Sequence, residues 1–355
     1  MSSIEPVNFL RQMLEIESFS RNEAHLAHFL SEQMNSLGFK SYVDEAGNAV
    51  GIREGIQTGD NVKELLLLGH MDTVSGRIPV KLDGEKLYGR GAVDAKGPLA
   101  AFIIAASKVH LPENTRLVVI GAVEEETPTS RGARHVATTF HPNACVIGEP
   151  SGTTAITLGY KGRLLVDYFY EQPSGHSAGP GVGVGEVAIS WWNALQAFVN
   201  KFNLNKEKIF DQLMINLRSI HTSSNGLYDG VRATVGLRLP PGLDPNALEI
   251  SLRELTADAE VNFYGHEVAV QSDKNQPLAR AFVRAIRRSN GEPKFKLKTG
   301  TSDMNVVTPV WKVPIVAYGP GDSRLDHTPD EHILVNDLLT SINVLENAIS
   351  DCLSA

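Results

Sequence analysis

Cysteine is nearly absent: the 355 residues contain two, Cys145 and Cys352. A disulfide framework is excluded, and a reducing, cytoplasmic compartment is expected. Aromatic residues are sparse at 7 %. No apolar run approaches the ~20 residues that a membrane helix needs. The greasiest stretches, Leu65 to Leu68 and Ala100 to Ala106, read as a buried strand and a buried helix. Positive charge is in deficit, with 33 Lys plus Arg against 41 Asp plus Glu, a net charge of −8. Nucleic-acid binding draws on a basic surplus and is not expected. The start, Met1-Ser2-Ser3-Ile4-Glu5-Pro6, has neither the basic residues nor the apolar stretch of a secretory signal. What remains is an ordinary globular composition, 42 % hydrophobic and 21 % charged. At roughly 100–200 residues per domain, the length predicts about two domains.

Apolar spacing predicts helices over 4–18 and 22–37. Strand-like runs follow at 39–43, 49–53, 64–68, 115–123 and 144–147, with helical segments at 95–109 and 130–139. Strands alternating with helices predict an α/β fold with a mostly parallel sheet. The middle of the chain has another rhythm. It reads as strand 160–171, helix 184–202, strands 212–221 and 229–239, helix 244–257 and strand 260–271. That order is the split βαβ pattern of ferredoxin-like domains. Helix 277–289, strands 293–298 and 313–318, and helix 334–353 then return to the first style. Two domains are expected: a discontinuous α/β domain, 1–158 plus 273–355, and an inserted ferredoxin-like domain, 159–272.

Four groups of acidic or imidazole residues each follow an apolar run: His70-Met71-Asp72, Asp94, Glu124-Glu125-Glu126 and Glu149-Pro150. Ligand sites in open α/β sheets form beyond the carboxyl ends of the strands, so all four are expected at one sheet edge. Gathered carboxylates are costly unless a cation neutralises them. Taken singly, a His-x-Asp pair, a run of glutamates or a Glu-Pro turn is ordinary; the joint arrangement points to metal chemistry.

These motifs resemble those of the zinc amidohydrolase and exopeptidase family that includes carboxypeptidase G, succinyl-diaminopimelate desuccinylase and acetylornithine deacetylase. The segment Gly89-Arg90-Gly91-Ala92-Val93-Asp94-Ala95-Lys96-Gly97 matches as well. So do Gly175-His176-Ser177-Ala178 and His327-Thr328-Pro329-Asp330-Glu331. The resemblance spans essentially the whole chain. It implies a zinc exopeptidase-like catalytic domain with the inserted domain as a lid and dimerisation module, and two divalent ions per subunit. One ion would take His70, Asp94 and Glu149, and the other Asp94, Glu126 and His327, with Asp94 bridging. Imidazole and carboxylate donors suit Zn²⁺, with Co²⁺ as a plausible substitute. Asp72 would orient His70. Glu125 would act as general base, taking a proton from the attacking water and returning it to the leaving amine. His176 would reach the partner subunit's site and stabilise the oxyanion. The peptide after Asp94 would be cis.

Within the family, Lys298-Thr299-Gly300-Thr301-Ser302-Asp303-Met304-Asn305, Gly159-Tyr160-Lys161-Gly162-Arg163 and Gly321-Asp322-Ser323-Arg324-Leu325-Asp326-His327 resemble one branch. That branch comprises the LysW-lysine and LysW-ornithine hydrolases of carrier-dependent lysine and arginine biosynthesis. Asn305 stands where desuccinylases carry a carboxylate-binding Arg. The implied substrate is lysine or ornithine joined to the γ-carboxyl of a C-terminal Glu on a small acidic carrier protein. Lys298, Thr301, Ser302, Asp303 and Arg324 are the expected substrate contacts, with Asp303 or Asp326 meeting the cationic product. Lys294, Lys296 and Lys298, with Lys161 and Arg163, would steer the acidic carrier. The alternatives are an N-acyl amino-acid deacylase or dipeptidase using the same metals, and a non-enzymatic scaffold. The complete donor set argues against the scaffold.

Overall fold

The computed structural model describes residues 5–59, 61–176 and 178–354. Ile4, within the first expected helix, and Ser177, within the motif around His176, lie outside the described residues. The chain divides into two compact units. The first runs up to Gly159 and resumes over Ser272–Leu297 and from Ser302 onward. The second is Tyr160–Gln271 together with the short segment Lys298–Thr301.

The first unit is built on a mixed sheet. Its order is Lys40–Val43, Ala49–Glu54, Thr115–Ala122, Lys63–His70, Ala144–Gly148, Ile315–Ala317 and Ala155–Tyr160, with Lys294–Lys298 also pairing on the last. The four central strands, Thr115–Ala122 to Ile315–Ala317, are parallel, and the flanking pairs are antiparallel. The central strands are apolar on both faces because helices cover both sides. Leu65 to Leu68 and Leu117 to Ile120 are at most 2 % exposed. The Lys96–Lys108 helix packs under the sheet, and its Ala100 to Ala106 stretch is wholly buried. The C-terminal Val335–Ser354 helix packs on it in turn. At the front, Pro6 opens the Pro6–Glu15 helix, where its missing N–H costs nothing. Glu5 caps it, accepting the Val7 N–H at 3.0 Å and the Asn8 N–H at 2.6 Å.

Register sets the site. His70 pairs with Ala122, and Gly69 with Gly148. His70, Glu124 to Glu126 and Glu149 therefore leave the sheet at one edge. Asp94 arrives differently from the expectation of a preceding strand. It follows a turn after the short Lys86–Tyr88 strand, which belongs to a separate small sheet with Lys81–Asp83 and His332–Leu334. Gly89 and Gly91 hold φ of +158° and +86°, the second a left-handed value that glycine favours. The Asp94–Ala95 peptide is cis.

The second unit has a four-stranded antiparallel sheet in the order Met214–Ser224, Tyr228–Leu239, Gly162–Pro173 and Glu260–Glu267. The helices Val184–Phe202 and Pro245–Arg253 fall between its strands in the chain. Leu164, Val166, Trp191, Leu195, Val235 and Leu237 form its core. Trp191 stacks on Tyr168 with ring centroids 4.2 Å apart. Among the described residues, no helix is long and apolar enough to cross a membrane.

Candidate metal centre

Six imidazole and carboxylate side chains of the first unit gather at the sheet edge. His70 Nε2 lies 3.2 Å from Asp94 Oδ1. His327 Nε2 lies 3.2 Å from Asp94 Oδ2 and 2.9 Å from Glu126 Oε1. Asp94 thus stands between two imidazoles. Two overlapping sets offer ligand atoms within 4.8 Å of one another: His70, Glu125 and Glu149, and His70, Asp94 and Glu126. Glu149 groups here with Glu125, where the family pattern pairs it with Asp94.

Asp72 organises the cluster from behind. It is fully buried. Its Oδ1 lies 3.4 Å from His70 Nδ1, and its backbone carbonyl 3.0 Å from the same nitrogen. Oδ1 accepts the Glu125 N–H at 3.0 Å, and Oδ2 the Glu126 N–H at 3.1 Å and the Ser20 hydroxyl at 2.7 Å. Glu124 turns the other way with φ of +59°. Its carboxylate meets Arg131 Nε at 2.9 Å and accepts from Thr129 Oγ1 at 2.6 Å. Of the three consecutive glutamates, the second and third face the cluster.

The electrostatics follow from gathering these groups out of water. Burial, reinforced by Glu149, Asp303 and Glu126, pushes the Glu125 carboxyl well above the usual carboxylate range. Glu126 is raised too, by burial and then by Asp94. Burial disfavours protonated His70, yet hydrogen bonds to Asp72 and Asp94 outweigh it and hold its pKa well above the ordinary value. Burial would also raise Asp94, but hydrogen bonds from His327 and His70 pull it far below the carboxylate range. Asp94 and Glu126 lift His327 to about 11. Protonated imidazoles here do the work of cations among acids that cannot all ionise unaided. Imidazole nitrogen and carboxylate oxygen at this spacing are a donor set that fits a divalent ion such as Zn²⁺.

The remaining expected site residues divide between the two units. His176 belongs to the second unit. It is exposed, with Nδ1 accepting the Ala178 N–H at 3.1 Å. Lys298 and Thr301 also cluster with that unit. Lys298 Nζ is 5.8 Å from the Tyr160 ring centroid, and Thr301 Oγ1 accepts from Arg238. Ser302 caps the Asp303–Trp311 helix, its hydroxyl accepting the Met304 N–H at 3.2 Å. Asp303 is buried at 3 % exposure and close enough to raise Glu125. Arg324 is exposed and paired with Asp322, Nε to Oδ2, at 3.0 Å.

The steering set needs correction. Lys161 has no solvent exposure, and its ammonium donates to the Gln212 carbonyl. Arg163 is committed to Glu267 at 3.0 Å. Lys294 and Lys296 stay exposed, the latter donating to the Ser151 carbonyl at 2.7 Å. Lys161 and Arg163 read as surface cations, and nothing local in the sequence shows that the fold turns them inward.

Several residues went unassigned in the sequence. Glu331 accepts the N–H groups of Val93 and Asp94 at 3.0 and 3.1 Å. Glu23 accepts the Glu124 N–H at 3.2 Å. Lys96 is buried and donates to the carbonyls of Met13 and Ile16 at 3.1 and 2.8 Å. Glu331 and Lys96 stand inside the motifs quoted above; their partners are too distant in the chain to be paired from spacing.

A parallel-centred α/β sheet with imidazole and carboxylate side chains gathered at one edge is an arrangement suited to metal-dependent hydrolysis. Residues 66–351 match the model of peptidase family M20/M25/M40. The chain belongs to that family, whose members hydrolyse amide bonds. It is 44 % identical over 350 residues to the LysW-lysine hydrolase of Deinococcus radiodurans, covering 96 % of this chain and 95 % of that one. It is 39 % identical over 352 residues to a putative LysW-lysine/LysW-ornithine hydrolase of Thermococcus kodakarensis, covering 99 % and 93 %. In fold it resembles an M20 family metallo-carboxypeptidase from Sulfolobus solfataricus, with a TM-score of 0.79, 18 % identity, and 99 % and 100 % coverage.

Proposed function

We propose that this protein is a metal-dependent amidohydrolase that releases lysine, ornithine or both from a small acidic amino-group carrier protein. The bond cut is the amide between the amino acid and the γ-carboxyl of the carrier's C-terminal Glu. The reading rests on the six-residue cluster, within a chain alike over nearly its whole length to hydrolases named for that substrate.

In this reading His70, Asp94 and Glu149 hold one divalent ion, and Asp94, Glu126 and His327 the other. Zn²⁺ is the assigned ion and Co²⁺ a functional substitute. Bound ions of this kind polarise the scissile carbonyl and acidify water. Glu125 is the general base. It removes a proton from the attacking water and delivers it to the leaving amine. Burial serves that role by raising its pKa toward the operating pH. Asp72 fixes the His70 ring and the peptides of Glu125 and Glu126. His176 supplies oxyanion stabilisation from the partner subunit of a homodimer formed through the second unit, which acts as the lid. Lys298, Thr301, Ser302, Asp303 and Arg324 line the substrate path. The two free cysteines support a cytoplasmic setting.

The deciding experiment is a substrate panel run with added Zn²⁺ or Co²⁺. It contains carrier-linked lysine, carrier-linked ornithine, acetylornithine and succinyl-diaminopimelate. Preference for the carrier-linked amides is expected. Preference for either free acyl amino acid overturns the substrate assignment and leaves the hydrolytic mechanism standing.

A further inference from the structure

Two loops deliver Asp94 and His327 to the cluster, and neither is held by regular secondary structure at those residues. His327 itself sits at φ of +61°. What ties the loops together is a buried, reciprocal exchange. Arg90, from the Asp94 loop, donates through Nη1 to Glu331 Oε2 at 2.8 Å and to the Thr328 carbonyl at 3.3 Å. Its Nε donates to the Gly76 carbonyl at 3.0 Å. Glu331, from the His327 loop, answers with Oε1, which accepts the N–H groups of Val93 and Asp94. The Glu331 carbonyl also accepts the Gly89 N–H at 3.4 Å. Each loop therefore carries the group that immobilises the other.

Exposure of the two side chains is 12 % for Arg90 and 1 % for Glu331. A buried ion pair of this kind adds little net stability against an apolar alternative, but breaking it is expensive. Its value here is geometric. Glu331 offers one oxygen to the peptide groups flanking Asp94 and the other to the guanidinium.

We propose that Glu331, with Arg90, is a positioning residue that sets the affinity of the cation position formed by Asp94, Glu126 and His327. This rests on the two-ion reading of the cluster. The latch spans both loops that serve this position. The other position shares Asp94 but takes its remaining donors, His70 and Glu149, from the ends of regular strands, whereas the first depends on both latched loops.

The test is metal titration of the metal-free, full-length protein with Zn²⁺, followed by calorimetry and by elemental analysis of the bound ion. Wild type is expected to take two equivalents. Glu331→Gln is expected to keep the first at near wild-type affinity and to bind the second about 10–100-fold more weakly, the usual cost of losing a partner behind a ligand. Arg90→Lys retains the charge but not the fork, and its loss should be smaller and confined to the same equivalent. It carries the test if Glu331→Gln does not fold. Two equivalents at unchanged affinity in the folded variants overturn the proposal, as does equal weakening of both. Wild type that binds no divalent ion overturns the metal reading itself, a separate and distinguishable failure.

Discussion

Asp72 accepts the backbone N–H of Glu125 at 3.0 Å, so the residue that steadies an imidazole also fixes the peptide of the assigned base. One carboxylate thereby serves four contacts: His70, the main chains of Glu125 and Glu126, and the Ser20 hydroxyl. Asp72→Asn would turn an amide NH₂ toward one of those donors. Zn²⁺ affinity is expected to fall about 10–100-fold and turnover with it. Calorimetric titration of the metal-free variant checks the first effect, and steady-state kinetics at saturating metal the second.

Glu125 stands with His70 and Glu149 in one candidate ligand set and has its carboxyl raised by burial. The two roles separate in Glu125→Gln. As base, its loss should lower kcat about 10²–10⁴-fold with two equivalents of metal retained. Retained turnover, or loss of metal in step with turnover, would remove Glu125 from the base role.

Metal binding should release protons. In the metal-free protein His327 is held at about 11 and is protonated at neutral pH, and His70 is shifted in the same direction by Asp72 and Asp94 against its burial. Ligation requires neutral imidazole, and at least the His327 proton should leave at pH 7. Titrations in buffers of different ionisation enthalpy measure the number. The same shift governs metal-free stability. The raised pKa of His327 contributes stability that is complete below its ordinary value of 6.5 and is lost as pH rises toward about 11. The melting temperature of the metal-free protein should fall across that window, and saturating Zn²⁺ should flatten the slope.

In the second unit, burial lowers the Lys161 pKa to about 8. The unfolded chain holds that proton up to about 10.5, so with saturating Zn²⁺, which flattens the His327 slope, Lys161 should contribute a rise in stability between pH 8 and 10.5 as the folded form sheds its proton first. Lys161→Met should abolish that rise, as read by thermal unfolding across the same range. Activity toward a carrier-linked substrate should keep its salt dependence in this variant, because the side chain is not at the surface.

Much of the first unit was legible because its central strands are largely apolar and three of them lead into acidic or imidazole residues. His70, Glu126 and Glu149 follow that rule directly. Asp94 breaks it, since glycines replace the expected strand and Glu331 takes the N–H groups a ladder would have used. The Asp303–Trp311 helix went unseen. It carries Pro309 and presents little helical apolar spacing, and Ser302 before it is occupied as its cap. Lys161 reads as a surface cation and is in fact interior. Such misreadings share a cause: local pattern reports periodicity, whereas burial of a single polar group depends on partners far along the chain.

The donors also emerge from the ribosome in an instructive order. Translation must complete the entire Tyr160–Gln271 unit before His327 exists, while the earlier acids already have their sheet strands to fold on. A chain halted inside that unit carries a knot of mutually repelling carboxylates with one imidazole of its pair missing. Such a chain also lacks the Ile315–Ala317 strand that pairs with Ala144–Gly148, so the sheet of the first unit is completed only after the second unit has been made.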